Sequence, residues 1–176
     1  MTTALIIIAT IIFLMLIIAL IIGTAVNVEE TIIINKPLEQ AFDYVKFVKN
    51  HDNFSVWAMM DPDVKKEYKG TDGNVRFVYA WDSNKVKNVG AGEQEIKHID
   101  NNKSIEHEIR FSRPYQDIAK AKFYFESISV NQTKIKWGFY SKMKFPMNIM
   151  KPMIQNMLNM SLEKGLHNLK NVREQA

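Results

Sequence analysis

The sequence predicts an α+β domain in which a seven-stranded, curved antiparallel sheet lies against one long C-terminal helix. From Val64 onward, apolar and polar residues alternate in short runs separated by turn residues, which is typical of antiparallel strands with one buried face. Residues 150–172 then carry apolar side chains at helical spacing. A single sheet cannot bury its apolar face alone, and this helix is the only predicted element long enough to cover it.

One strand and two short helices precede the alternating region. Residues 28–35, VEETIIIN, are rich in β-branched side chains and predict the first strand. Pro37 suits the first turn of a helix. The apolar residues that follow it have helical spacing: Leu38, Ala41, Phe42 and Val45. Residues 49–63 predict a second short helix and a loop that ends at Asp61-Pro62-Asp63.

Alternation assigns an inward face to four of the later strands. The side chains expected to point inward are Val75, Phe77, Tyr79 and Trp81; Ile105, His107, Ile109 and Phe111; Ala119, Ala121, Phe123 and Phe125; and Ile135, Trp137 and Phe139. Alternation also allows His98 to face inward. Gly90 and Gly92 have no helix or lysine of a phosphate loop after them, so they are expected to mark a strand bend or bulge.

The first 27 residues predict a transmembrane anchor with a short linker (residues 1–27), followed by the domain (residues 28–176). Residues 4–22 are apolar except for Thr10, and at about 1.5 Å per residue they span roughly the 30 Å core of a bilayer. A cleaved signal peptide is the alternative, although GTAVNV is a poor cleavage site. The positive-inside rule, applied to the lysines that follow the span, places the domain in the cytoplasm. These lysines belong to a folded domain, however, so the sequence does not decide on which side of the membrane the domain lies.

Composition excludes several classes of function. The chain has no cysteine, so it has no disulfide, thiolate metal site or cysteine nucleophile. Its formal charge of +4 is not concentrated in a dense basic block, which argues against a nucleic-acid partner. The four histidines lack ligand-like spacing, so we expect neither a metal nor another cofactor. The oligomeric state is not determined by the sequence.

The segment from residue 143 to residue 170 joins a methionine-rich half to a leucine-rich half. Its first half contains six methionines: Met143, Met147, Met150, Met153, Met157 and Met160. Methionine is flexible and adapts to partners of different shape, so this half is expected to cover a cavity or to face lipid. Pro152 predicts a kink or a helix start, and Gly165 predicts a close approach of the helix to the sheet.

Lysines also cluster near these methionines. There is no acidic residue between Glu126 and Glu163, and lysine interleaved with apolar side chains is typical of an interfacial segment. The candidate membrane contacts are Lys142, Lys144 and Lys151.

The order of elements resembles a known superfamily. The stretches that carry the resemblance are INKPLEQAFDYVKFVKN, FSVWAMMDPDVKKEYKG, IEHEIRFSRPYQDIAKAKFYFE and FPMNIMKPMIQNMLNMSLEKGLHNLK. They are similar to the SRPBCC superfamily, whose START and pollen-allergen members have a helix-grip fold, and within it to the bacterial polyketide cyclase/dehydrase and lipid-transport family. The resemblance implies a hydrophobic cavity between sheet and helix, and a single-pass protein of a bacterial cell membrane once the anchor is added.

Three hypotheses about function follow from this resemblance and the residues. The first is a membrane-anchored module that binds a hydrophobic small molecule or lipid; the second is an aromatase- or cyclase-type enzyme that uses His107; the third is a regulatory membrane protein with a closed cavity. We assign no catalytic residue, because neither a nucleophile nor an oxyanion-binding group is recognisable near His107. The candidates for the cavity wall are Trp57, Tyr79, Trp81, His107, Phe111, Phe123, Trp137, Met150, Met153 and Met157.

Overall fold

Seven strands form one antiparallel sheet in the computed structural model, which describes residues 1–175. The strands lie in the order β1-β7-β6-β5-β4-β3-β2. Their bounds are β1 Ala25–Ile34, β2 Lys65–Lys69, β3 Val78–Asp82, β4 Ala91–Asp100, β5 Ser104–Arg113, β6 Asp117–Ser129 and β7 Gln132–Lys142. The predicted fold class is confirmed: the chain has a curved sheet gripping a long C-terminal helix.

Four α-helices and two 3₁₀ turns complete the fold. Their bounds are α1 Thr2–Ile22, α2 Leu38–Lys46, the first 3₁₀ turn Val48–Asn53, α3 Val56–Met59, the second 3₁₀ turn Met147–Met150, and α4 Lys151–Glu174. Pro152 lies in the first turn of α4, where its missing N–H costs nothing. It therefore marks a helix start and not a kink.

The long helix α4 packs on the sheet along one face that runs from Leu158 to Leu169. Four leucines on one face are buried: Leu158, Leu162, Leu166 and Leu169. Gly165 lies against Trp137, because a Cβ at this glycine would come within 2.7 Å of Cζ3 of the indole. The expected close approach of the helix to the sheet is therefore present, and one aromatic ring occupies the space of the missing side chain.

Three details of the predicted strands are corrected. The first strand begins at Ala25, so the linker after α1 is only Gly23 and Thr24. The third strand begins at Val78, because Arg76 has a φ of 72° and breaks the extended backbone before it. His98 is exposed, since a register shift between Ile96 and His98 interrupts the alternation of side chains.

One end of the sheet lies next to α1, and we call it the proximal end. Ala25, which directly follows α1 and its linker, pairs with Lys142 at the last position of β7. Because neighbouring strands are antiparallel, the connections at residues 83–90 and 114–116 and the segment at residues 143–146 all lie at this end. The turn at residues 130–131 lies at the opposite, distal end.

Helix α1 is apolar and exposed along most of its length, but its C-terminus is bound by the domain. The side chain of Asn148, only 1% exposed, donates hydrogen bonds to the carbonyl oxygens of Ala19 and Gly23. The Lys151 ammonium donates to the carbonyl of Ile22 at 3.0 Å. Helix C-termini carry unpaired carbonyls and partial negative charge, so an amide and a cation are suitable groups to cap this one.

The contact between Gly165 and Trp137 gives a stability prediction. Gly165→Ala should gain about 1 kcal/mol of helix propensity but lose about 1–3 kcal/mol by overpacking against a buried ring. We expect net destabilisation in chemical denaturation of the full chain. Lys164→Ala, at the exposed neighbouring position, is the control and should change the free energy of unfolding by less than about 0.5 kcal/mol. A Gly165→Ala variant more stable than the wild type would contradict the packing.

Candidate ligand cavity

A cavity of about 280 Å³ lies between the concave face of the sheet and the helices. Its wall includes eight of the side chains predicted from the sequence: Trp57, Tyr79, Trp81, His107, Phe111, Phe123, Trp137 and Met157. The other two candidates, Met150 and Met153, lie outside the wall and are exposed. The exposed members of the wall, Asn88 and Met157, mark where the cavity reaches the surface.

The loop at residues 83–90, which contains Asn88, is held in place by two hydrogen bonds. The hydroxyl of Ser83 donates to the carboxylate of Asp61, which is buried. The indole N–H of Trp81 donates to the carbonyl of Val89 at 3.1 Å. Asp61 also accepts from the backbone N–H of Asp63, which is ordinary Asp-Pro turn chemistry. The Asp61 carboxylate therefore fixes a loop at the cavity, and the Asp63 carboxylate accepts a hydrogen bond from Lys85 of the same loop at 2.7 Å.

Two glycines shape the strand that follows this loop. Gly90 has a φ of +59°, and a Cβ there would lie 2.1 Å from the carbonyl oxygen of Arg113. A register shift occurs between Ala91 and Gly92, where the sequence predicted a bend or bulge. At Gly92 a Cβ would meet the Trp81 ring at 2.8 Å, so the absent side chain makes room for an aromatic residue of the wall.

Stacked aromatic rings close the opposite side of the cavity. Phe123 and Trp137 stack with centroids 4.8 Å apart, and Phe54 and Trp57 meet Trp137 edge-on. Such pairs add about 0.5–1.5 kcal/mol each beyond the area they bury. Trp137 thus belongs both to the core and to the cavity wall, and its indole N–H is buried with no hydrogen-bond partner among residues 1–175.

Two histidines face each other in the wall. The rings of His51 and His107 are 7% and 1% exposed, and their centroids are 5.6 Å apart at a steep angle. Nε2 of His51 lies 2.9 Å from the carbonyl of Val45. Neither ring nitrogen of His107 has a hydrogen-bond partner within the described chain.

Burial sets the charge of both rings. Desolvation lowers the pKa of His51 from its usual value, an effect that the Val45 carbonyl only partly opposes. Desolvation, with a smaller contribution from His51, lowers the pKa of His107 well below its usual value. Both imidazoles are therefore neutral at pH 7.

His51 is one of the wall residues that the sequence pattern missed, and it is the imidazole that faces His107. It lies on the first 3₁₀ turn, where three residues make one turn, and the side chains at that spacing are buried: Val48, His51 and Phe54. Asp72 caps this turn by accepting the N–H groups of Val48 and Lys49. A search for a three-residue period would have placed His51 inward.

The three lysines proposed as membrane contacts have different surroundings. Lys142 and Lys144 are exposed at the proximal end, whereas Lys151 uses its ammonium to cap α1. Exposed apolar side chains at the same end include Tyr115, Ile118, Phe145 and Met147.

Comparisons with known proteins identify the fold and nothing finer. No family profile and no curated protein matches this chain. Solved structures do match, and they have helix-grip folds like that of pollen allergens. Norcoclaurine synthase from Thalictrum flavum, determined with dopamine and hydroxybenzaldehyde, is 11% identical, with a TM-score of 0.64 over 88% of this chain and 91% of its own.

Two bacterial structures are similar to the same degree. Protein MLL2253 from Mesorhizobium loti is 12% identical, with a TM-score of 0.62, and the match covers 85% of this chain and 98% of that one. The Aha1 dimer from Colwellia psychrerythraea is 15% identical, with a TM-score of 0.56, covering 83% and 94%. The chain is thus a helix-grip protein whose domain spans nearly the whole length of these structures.

The histidine pair gives a pH prediction. In the unfolded chain each histidine has a pKa near 6.5, and in the folded chain the pKa of both is lower. Below pH 6.5 the unfolded state therefore binds more protons, and stability is lost as the pH falls, by up to about 1.4 kcal/mol per pH unit for each histidine.

Urea denaturation of the full chain in micelles between pH 7.5 and 5 measures this slope. His107→Phe should reduce it, whereas His167→Gln, at an exposed position, should leave it unchanged. A pH-independent free energy of unfolding over this range would show that the two rings are not buried as neutral groups.

Proposed function

We propose that this protein is a membrane-anchored module that binds a hydrophobic small molecule or lipid in the cavity between the sheet and α4. The observation that carries the proposal is the cavity itself, which lies against the buried core of the domain. Protein interiors rarely retain voids larger than a few water molecules, whereas this one measures about 280 Å³.

The size and lining of the cavity restrict the ligand. Pockets for small molecules measure about 300–1,000 Å³, so this cavity is at the small end of that range. Counting about 30 Å³ for each water-sized group, it holds on the order of ten non-hydrogen atoms. Aromatic and aliphatic side chains dominate the wall. A small hydrophobic molecule, or one end of a longer lipid, fits these limits.

The binding of α1 by the domain supports an anchor that is retained. Helix α1 is long and apolar enough to cross a membrane, which alone fits a signal sequence equally well. Its removal, however, would take away the Ala19 carbonyl that Asn148 binds and the Ile22 carbonyl that Lys151 binds. A buried amide that loses an acceptor costs about 1–3 kcal/mol. A domain built to lose α1 would not depend on it in this way.

The position of α1 supports a cavity mouth turned toward the bilayer. Helix α4 begins at Lys151, beside the end of α1, and runs parallel to β1, with Gln155 bonded to Asn27 and Lys170 to Ile33. Met157 is six residues along α4, which is about 9 Å at 1.5 Å per residue. The headgroup layer of a bilayer is roughly 5–8 Å thick, so the mouth would lie just beyond it.

The other two hypotheses have less support. The third hypothesis, a regulatory protein with a closed cavity, does not agree with a cavity volume of about 280 Å³. An aromatase- or cyclase-type reaction would need a group that moves protons, and His107 is placed for it. Its position serves binding equally well, however, and none of residues 1–175 is hydrogen-bonded to its ring, as a nucleophile activated by this base would be.

Filling the cavity tests the ligand-binding proposal. Ala121 lines the cavity and Ala119, two residues away on the same face, is buried but does not. Ala121→Leu should therefore be tolerated, while Ala119→Leu should cost about 1–3 kcal/mol. Native mass spectrometry of the full chain released from nanodiscs should show a bound hydrophobic molecule, and Ala121→Leu should retain markedly less of it. A wild-type protein that is always empty and takes up no apolar probe would refute the proposal.

Spin labels test the orientation. The chain lacks cysteine, so single cysteines can be placed at Met147 and Ile118, at the proximal end, and at Val130, at the distal end. In nanodiscs the first two should be more accessible to lipid-soluble oxygen, and Val130 to a water-soluble nickel complex. Mass spectrometry of the intact mature protein should also show that α1 is retained. If all three labels behave alike, or if the mature protein lacks α1, the anchored orientation is wrong.

A further inference from the structure

We propose that His51 and His107 form a polar end to the cavity and select a neutral hydrophobic ligand that carries a hydroxyl group, an alcohol or a phenol. This inference rests on the proposed function, since it concerns a ligand in the same cavity. It adds the chemical class of that ligand, which the apolar wall alone does not determine.

The first step is that His107 is an unused hydrogen-bonding group in a wall that is otherwise mostly apolar. Its side chain is 1% exposed, and both ring nitrogens lack a partner among residues 1–175. Leaving a buried polar group unpaired costs about 1–3 kcal/mol. His107 lines the cavity, so a ligand group that hydrogen-bonds to its imidazole would remove this cost.

The second step assigns the hydrogen-bonding roles. The Val45 carbonyl can only accept, so Nε2 of His51, 2.9 Å away, carries the proton. Nδ1 of that neutral ring then carries the lone pair. His107, also neutral, offers one donor and one acceptor. The pair of rings, 5.6 Å apart between centroids, therefore presents both acceptors and a donor.

A hydroxyl group matches this set, because it donates one hydrogen bond and accepts others. A carboxylate only accepts, and its charge would be buried without a cation, which is strongly unfavourable. A hydrocarbon would leave the imidazole of His107 unpaired. The predicted order of affinity for ligands of equal shape is therefore hydroxyl first, with hydrocarbon and carboxylate below it.

The position of His107 also sets the orientation of the ligand. Phe111 lies four residues further along β5, at the proximal end where it pairs with Gly92 and Asp117. At about 3.3 Å per residue, His107 is roughly 13 Å deeper along the strand. The hydroxyl would therefore enter first, with the apolar body beside Phe111 and Trp81, whose rings are in contact with each other, on the mouth side.

The test uses three probes of similar shape: 2-naphthol, naphthalene and 2-naphthoate. Calorimetric titration of the full chain in nanodiscs, corrected with empty nanodiscs, gives the dissociation constants. We expect 2-naphthol to bind about tenfold more tightly than naphthalene, the effect of one net hydrogen bond, and 2-naphthoate to bind more weakly than 2-naphthol. In His107→Phe the naphthol preference should fall to within about twofold while naphthalene still binds. The control His98→Phe, at an exposed position, should keep the preference.

A second measurement does not depend on a variant that folds. In protein labelled with ¹⁵N in the imidazole rings, 2-naphthol should shift the ring-nitrogen signals of His107 by hydrogen bonding, and naphthalene should not. Equal binding of 2-naphthol and naphthalene, or an unchanged preference in His107→Phe, overturns this inference alone. If none of the three probes binds, the proposed function and this inference are both overturned.

Discussion

The contact between Gly165 and Trp137 determines how the long helix crosses the sheet. At this point the helix backbone meets an indole ring, because a Cβ would lie 2.7 Å from it. On the C-terminal side Leu166 and Leu169 are buried, and the helix is firmly packed. On the N-terminal side Leu158 and Leu162 are buried as well, whereas the neighbouring Met157 is exposed and lines the cavity. The close contact thus holds one leucine-rich face of α4 on the sheet, and the methionine beside that face leaves room for a ligand.

Local periodicity predicted the parts of the site that lie on regular strands. Alternation with a period of two placed His107, Phe123 and Trp137 on the concave face, and the structure puts all three in the cavity wall. It failed where the backbone departs from that period. His98 follows a register shift, and the third strand starts late because Arg76 has a positive φ.

Contacts between distant parts of the chain could not be predicted from local patterns. In the sequence, Asn148 is only a polar residue in a methionine-rich segment. Its role as a cap of α1 becomes visible when folding brings α1 beside it. The same holds for Lys151, whose hydrogen bond to the carbonyl of Ile22 is not visible in a local cluster of lysines; its contact with lipid stays a prediction. His51 needed a three-residue period that a search for α-helices does not test. The cavity volume is likewise a property of packing and leaves no trace in composition.

The pairing of the first and last strands has a consequence for synthesis. Within residues 1–175, strand β1 pairs with β7 alone, and the α1 carbonyl groups are capped by residues more than a hundred positions later in the chain. Contacts of such long sequence separation form late and slow folding. Under the proposed anchoring, α1 enters the membrane first, and the ribosome must then complete nearly the whole chain before β1 is covered. Until then, the unpaired, isoleucine-rich edge of β1 stays exposed, and aggregation and chaperone capture compete with closure of the sheet.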